Sequence, residues 1–427
     1  MPAQALPGFR DFQPDDLAFR AHLFRVWREV ARRYGFEEYD GPPLEPLELY
    51  TAKSGGEIVG QLYSFEDKGG RAVALRPEMT PTLARMVAAH AAALKKPIRW
   101  FSIPQLFRYE RQQRGRLREH FQLNCDLIGE PGPLADAEVI ALAVDVMRAL
   151  GLGPGEVRVR LSDRRVLATL LRGRGVAEEA LGLAYQAIDK VERGDRAALE
   201  AQLVTAGLDA ATAGRVLDVA ALRGREAVEA ALAGTPGGGE AGAPMRATLD
   251  ALAAMGLAEW VDVDLTIVRG LAYYTGTVFE LFDAGRSLRA ICGGGRYDDL
   301  LQALGGVDLP ALGFGMGDVV LAELLRERGL APARPPAVDV FLAAVTPEDL
   351  PTILALAHEL RDAGLGVEFP LGHQALGKQL KLADARGARW AVIVGPDDRA
   401  RGEVQLKDLR GQGQRAVPLA GLRGELT

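Results

Sequence analysis

The chain is poor in cysteine: two residues in 427, Cys125 and Cys292, far apart. That excludes a disulfide framework or a CxxC metal pair and makes a reducing, cytoplasmic setting the simplest expectation. It lacks any run of about 18 apolar residues, so no membrane span is expected. The start, MPAQALPGFRDFQPDD, has no basic flank leading into an apolar core, so no signal peptide is expected either. The five histidines (His22, His90, His120, His358, His373) fall at no ligand spacing, and no protein-held metal is expected. A dominant charge is missing too. A net charge of −6 excludes a protein that coats nucleic acid by bulk attraction, while leaving local basic surfaces open. What remains, 48% hydrophobic and 25% charged residues, is ordinary for globular chains, and the length suggests two or three domains.

Residues 108–119, RYERQQRGRLRE, hold five arginines against two glutamates, and Lys378 to Arg410 holds eight basic against five acidic residues. Taken alone, either run reads as a solvated face. Pro14 opens a helical pattern with Phe19, Leu23, Val26, Val30 and Tyr34 on one face and Gly35 as its stop. LRPEMT (75–80), RWFSIPQLFRYE (99–110) and FQLNCDLIG (121–129) read as strands of a mainly antiparallel sheet, with helices over Thr82–Ala93 and Ala135–Leu150. From about residue 163 to 258 the texture turns helical, and 233–244, AGTPGGGEAGAP, reads as a flexible loop.

Strands resume with IVRGLAYYTGTVFELF (from 267), AICGGGRYDDLL and ALGFGMGDVVLAELL, the last turning into a helix. APARPP (331–336) reads as a linker. Beyond it, strand and helix alternate, with Thr346-Pro347 as a cap, which predicts a parallel sheet covered on both faces. The expected organisation is thus an α+β domain over 1–330, an antiparallel sheet with flanking helices and a helical insertion at about 163–258, followed by an α/β domain over 337–427.

Several residues suggest chemistry on their own. Arg108 and Glu110 alternate on a strand and share a face. There the arginine can clamp a phosphate or carboxylate through two parallel bonds, and the glutamate can accept from an amino group; a surface ion pair would explain the same two residues. Glu78 beside Thr80 suits a substrate ammonium group, although Thr80-Pro81 also resembles a helix start. Asp126, two residues after Asn124 in the apolar setting LNCDLIG, is a carboxylate that needs a partner when buried. A neutral imidazole offers one donor and one acceptor, which Asp126 and Tyr274 could answer. The glycines 293–295 allow close approach of a ligand or strand, and a β-bulge would explain them equally well.

FRYE, an arginine-rich loop and REHFQ resemble motif 2 of the class II aminoacyl-tRNA synthetases. RGLAYYTGTVFE and AICGGGRYDDLL resemble the two histidine-specific signatures of the histidyl-tRNA synthetases. LPGFRD, LRPEMTPTLARM and the tail through VQLKDLR fit the same family, so the resemblance spans nearly the whole chain. It implies a class II catalytic domain followed by an anticodon-binding domain. The implied activity joins L-histidine and ATP to histidyl-adenylate and passes the histidyl group to the 3′ end of tRNA(His). Mg²⁺ would arrive with ATP, no prosthetic group would be needed, and the protein would be a homodimer formed through the motif 1 segment (about Asp16–Glu45). Apolar side chains such as Phe19 and Trp27 give that segment material to bury.

By the same resemblance, Arg108 and Arg269 contact the α-phosphate and the histidine carboxylate, and Arg269 is catalytic. Glu78, Thr80 and Gln122 bind the α-amino group; Asp126 and Tyr274 read the imidazole, with Tyr273 lining the pocket. Glu110 contacts adenine, and Arg116 holds the outer phosphates. The sequence departs from the class at Val320, where motif 3 normally carries an arginine on the γ-phosphate, and at Ala272, where RGLDYY is usual. Both departures resemble an organellar and cyanobacterial-type branch. They also suit a non-catalytic, histidine-sensing relative such as the ATP phosphoribosyltransferase regulatory subunit, a group that usually lacks the C-terminal domain this chain has.

Overall fold

The computed structural model describes residues 4–51, 56–111, 113–192, 194–268, 273–285, 287–372, 374–411 and 413–426. They form two compact units, 1–332 and 333–427. In the first unit, nine strands among the described residues make one sheet: β1 (Glu37–Glu38), β2 (Ile98–Ser102), β3 (Gln105–Phe107), β4 (Glu119–Ile128), β5 (Val157–Asp163), β6 (Val261–Val263), β7 (Thr277–Asp283), β8 (Cys292–Arg296) and β9 (Ala311–Gly317). The spatial order is β1-β2-β4-β9-β8-β7-β5-β6, with β3 paired to β4. Only the outer pairs β1–β2 and β5–β6 are parallel. The expected mainly antiparallel sheet with flanking helices is therefore what forms.

The register sets up everything that follows. Gly313 and Gly315 of β9 lie opposite Asp126 and Asn124 of β4, and Gly293 and Gly295 of β8 lie opposite Gly315 and Gly313. Directly opposed residues share a face, so Gln122, Asn124 and Asp126 look across a strip with no Cβ atoms. Gly294 faces the other way, toward the core. A Cβ there would lie 2.6 Å from Phe314 Cβ and 2.7 Å from Phe279 Cε1, whose rings meet edge to face with centroids 6.4 Å apart. The β8 ladder is continuous from Cys292 to Arg296, so the glycine triplet is not a bulge.

Helix α1 (Pro14–Arg33) buries Phe19, Leu23, Val26, Trp27 and Val30, all in the core of its own unit. Phe19 and Trp27 are thus spent within the chain and do not supply material for a partner, contrary to expectation. LRPEMT is not a strand throughout. The strand Ala72–Leu75 ends there, Glu78 lies in the connection, and the helix Thr80–His90 follows with Met79 at its N-cap. RWFSIPQLFRYE is likewise broken, into β2 and β3.

Among the described residues of the run from Ile267, β7 is the strand. Thr275 leaves the ladder, with its N–H donating to Arg296 O at 2.7 Å. The glycine-rich 233–244 is not a flexible loop: only residues 234–237 separate the helix Gly224–Ala233 from helix α2 (Gly238–Ala254). A Cβ on Gly238 would lie 2.1 Å from Leu232 O, so glycine there serves close helix packing.

The second unit is a five-stranded sheet ordered Val367–Glu368, Val340–Ala344, Trp390–Val394, Glu403–Asp408 and Gln414–Pro418. Its first three strands are parallel and its last two antiparallel, so the parallel sheet expected from the sequence is in fact mixed. Only residues 395–402 separate Trp390–Val394 from Glu403–Asp408, fewer than the dozen or so a parallel return needs. Both faces are covered as expected: Val340 and Leu342 pack with Ile353 and Leu356, Phe341 and Ala343 with Ala383. Thr346 N donates to Asp349 Oδ2 at 2.9 Å, closing the expected cap. Lys378 and Lys381 lie on the helix Leu376–Ala385, whereas Arg386 and Arg389 fall beyond its end.

Gly294→Ala is expected to lower stability by about 1–3 kcal/mol through overpacking. Gly293→Ala, whose Cβ would meet nothing nearer than Glu280 Cγ at 3.8 Å, should leave the urea midpoint nearly unchanged. Equal midpoints for the two variants would contradict the assigned faces.

Candidate active site

The strip without Cβ atoms floors a cavity of about 210 Å³. Glu78, Thr80, Arg108, Gln122, Asp126, Tyr273 and Tyr274 all line it, together with Asn124, Glu280 and Tyr297. Residues from separated stretches of sequence are therefore brought to one place. Glu110 and Arg116 lie outside this lining and pair with each other. Arg269 and Ala272 fall outside the described residues.

The charged groups at the site already have partners. Tyr273 Oη donates to Glu78 Oε2 at 3.2 Å. Arg108 Nε donates to Pro77 O at 2.9 Å, which ties the guanidinium to the Glu78 connection. Asp126 is 3% exposed, and burial pushes its carboxyl up to about 7, while the phenol of Tyr297, donating to Oδ1, pulls the other way. A Cβ on Gly313 would lie 2.2 Å from Asp126 Oδ1, so glycine is required for the carboxylate to lie flat over β9. Gly315 does the same for Gln122, whose Cδ would be 2.5 Å from its Cβ.

Tyr297 lines the cavity without having been expected there, and His120, outside that lining, lies close by on β4. Tyr297 stands in the second signature, GGGRYDDLL, and its position there was the available signal. His120 lies two residues before Gln122 on β4; burial, then Arg108, Arg10 and Arg116, hold its imidazole down at about 3 and therefore neutral. Its place in REHFQ was the available signal, although its surroundings are set by cross-strand pairing.

The arginine-rich segment is a hairpin. Arg108 N donates to Arg118 O at 2.9 Å at its base, and Gln113 and Arg116 exchange backbone bonds at its tip. Arg10 of the N-terminal LPGFRD braces this region. Its guanidinium donates to Glu119 at 2.6 Å and pairs with Asp318 at 2.9 Å. Asp318 begins helix α3 (Asp318–Glu327), the helix that carries Val320. Among the described residues there is no group of three His, Cys, Asp or Glu that could hold a metal ion, and no helix is long and apolar enough to cross a membrane.

Comparison with known proteins matches the family model for histidyl-tRNA synthetase to residues 8–318 and an anticodon binding domain to 339–427. A histidine–tRNA ligase of Opitutus terrae is 50% identical over 420 residues, 97% of this chain and 96% of its own. This chain belongs to the histidyl-tRNA synthetase family. Within the family, the chloroplastic/mitochondrial histidine–tRNA ligase of Arabidopsis thaliana is 41% identical over 415 residues, covering 97% of this chain and 85% of its own. The crystal structure of histidyl-tRNA synthetase from Nostoc superposes with a TM-score of 0.85 at 28% identity, covering 100% of this chain and 99% of that one.

The raised carboxyl of Asp126 gives this synthetase-family fold a testable pH dependence. The folded value is above the ordinary 3.8, so the stability tied to this group is fully present below about 3.8 and lost as pH rises through about 7. Asp126→Asn removes that loss. Relative to the parent, the variant should gain stability between pH 4 and pH 8, by an amount on the order of a few kcal/mol. A pH-independent difference in denaturation midpoints would contradict the burial effect.

Proposed function

We propose that the chain is a histidine–tRNA ligase, which activates L-histidine with ATP and transfers it to the 3′ end of tRNA(His). The observation that carries this reading is the cavity itself. It gathers a carboxylate paired to a phenol twice over, Glu78 with Tyr273 and Asp126 with Tyr297, with Arg108 on the same wall. Histidine has a matching set of groups: an ammonium for Glu78, Thr80 and Gln122, an imidazole for Asp126 and Tyr274, and a carboxylate for Arg108. Asp126 titrates near neutrality, and an imidazole N–H donating to it favours its charged form.

In the first step the histidine carboxylate attacks the α-phosphorus of ATP and pyrophosphate departs. Arg108 and Arg269 are the fixed cations for the charge that develops there, and preorganised stabilisation of this kind usually contributes more to catalysis than any other single effect. Glu110 accepts from the adenine amino group and Arg116 meets the outer phosphates. Their mutual ion pair must therefore open when ATP binds, each partner turning to its own end of the nucleotide. Mg²⁺ accompanies ATP and is held by its phosphates. In the second step a hydroxyl of the terminal adenosine of tRNA takes the histidyl group and AMP leaves.

The second unit is read as the anticodon-binding domain, and its presence favours the ligase over a regulatory relative. We also place the protein in the cytoplasm, where the buried free thiols Cys125 and Cys292 stay reduced, and as a homodimer along the segment 16–45. With Phe19 and Trp27 spent in the core, that interface draws on Leu17 and Leu44, which are 43% and 38% exposed. A stable monomer by light scattering at micromolar concentration would contradict it.

ATP–pyrophosphate exchange that depends on histidine is the test. The reaction should be measurable, and Arg269→Ala should lower kcat far more than it weakens histidine binding. Removing residues 333–427 should leave exchange largely intact and impair charging of tRNA. Tight histidine binding without exchange at saturating ATP would overturn the ligase and favour the regulatory reading.

A further inference from the structure

The class places a cation on the γ-phosphate from the helix that follows the last strand, and here that position is Val320. The face it occupies carries Glu323 and Glu327 three and seven residues on, so the three side chains share one helical stripe. Both carboxylates are bound to Arg114 of the hairpin. That stripe therefore offers a phosphate no cation, and the charge of Arg114 is offset by two anions. The hairpin folds over the same spot. A Cβ on Gly115, which has φ +71°, would lie 3.2 Å from Val320 Cγ2.

Among the described residues, one other side chain reaches that point. Arg289 stands in the connection between β7 and β8, with its Cδ 4.0 Å from the same Gly115 Cβ position. Its Nη2 donates to Gln113 Oε1 at 2.9 Å at the hairpin tip, and the residue is exposed. It comes from a different element, yet it approaches the hairpin tip beside Val320. Arg108 lines the cavity at the hairpin base and Arg116 lies toward the tip. A triphosphate running outward from Arg108 past Arg116 would end there.

We infer that Arg289 contacts the outer phosphates of ATP in place of the arginine absent at position 320. The assignment rests on the ligase reading above. It explains how the residue at 320 can be an apolar side chain, 7% exposed, without leaving the γ-phosphate to Arg116 and Mg²⁺ alone.

The experiment first records histidine-dependent ATP–pyrophosphate exchange by the full-length parent protein. No exchange would bring down the ligase reading itself. With exchange established, equilibrium binding of Mg·ATP, AMP and L-histidine is compared across variants. Arg289→Ala should weaken Mg·ATP by about tenfold to a hundredfold, the size of one charge-assisted bond, with AMP and histidine affinities within about twofold of the parent. Arg289→Lys should fall between, and Gln113→Ala should stay near the parent. The inference is overturned if ATP binding is unchanged in Arg289→Ala, if ATP and AMP weaken alike, or if Gln113→Ala reproduces the loss. Parallel loss of histidine binding in both Arg289→Ala and Arg289→Gln would mark a structural role and overturn it as well.

Discussion

A Cβ atom on β9 at position 313 would collide with the carboxylate of Asp126, and one at 315 with the amide of Gln122. Every other feature of the cavity depends on that clearance. Antiparallel pairing carries it sideways: Gly293 and Gly295 continue the strip on β8, and a Cβ on Gly295 would lie 3.2 Å from the ring of Tyr274. Two adjacent strands thus give up side chains on one face so that polar groups from β4, from the connection after Leu75 and from the segment before β7 can converge. The opposite face of the same strands offsets this loss with a packed core, in which Phe279 and Phe314 meet over Gly294.

The second organising feature is charge held in reserve. A buried carboxylate is costly unless it is paired. The chain satisfies its carboxylates internally: Glu78 and Asp126 with phenols, Glu110 with Arg116, Glu323 and Glu327 with Arg114. On the proposed reading, ligands bind by partner exchange. Such exchange yields modest net affinity, since each new bond replaces an old one, but strong discrimination, since a molecule lacking the matching group breaks a pair and supplies nothing.

Much of this was legible in the sequence, for reasons that can be traced. Alternation placed Asn124 and Asp126 on one face, and motif order tied Arg108 and Gln122 to Glu78 and Tyr274 although they are far apart in the chain. What could not be read was register. Tyr297 meets Asp126, and Arg289 meets Gln113, only because particular strands lie side by side. The glycines at 238 and 242 looked like a flexible loop, because composition does not distinguish glycine used for freedom from glycine used for close packing. Phe19 and Trp27 looked available to a partner because a helix pattern shows which face is apolar, not what covers it. The tail's last two strands escaped notice because a short connection reverses the chain where alternation suggested another parallel crossover.

On the proposed reading, this cavity receives histidine with its imidazole at Asp126 and its ammonium at Glu78. A crystal structure of the chain with L-histidine bound tests that placement most directly. The expected complex has a ring nitrogen within hydrogen-bond distance of Asp126, the α-ammonium against Glu78 and the carboxylate turned toward Arg108. Histidine bound in the reverse orientation, or outside the strip floored by Gly313 and Gly315, would contradict it.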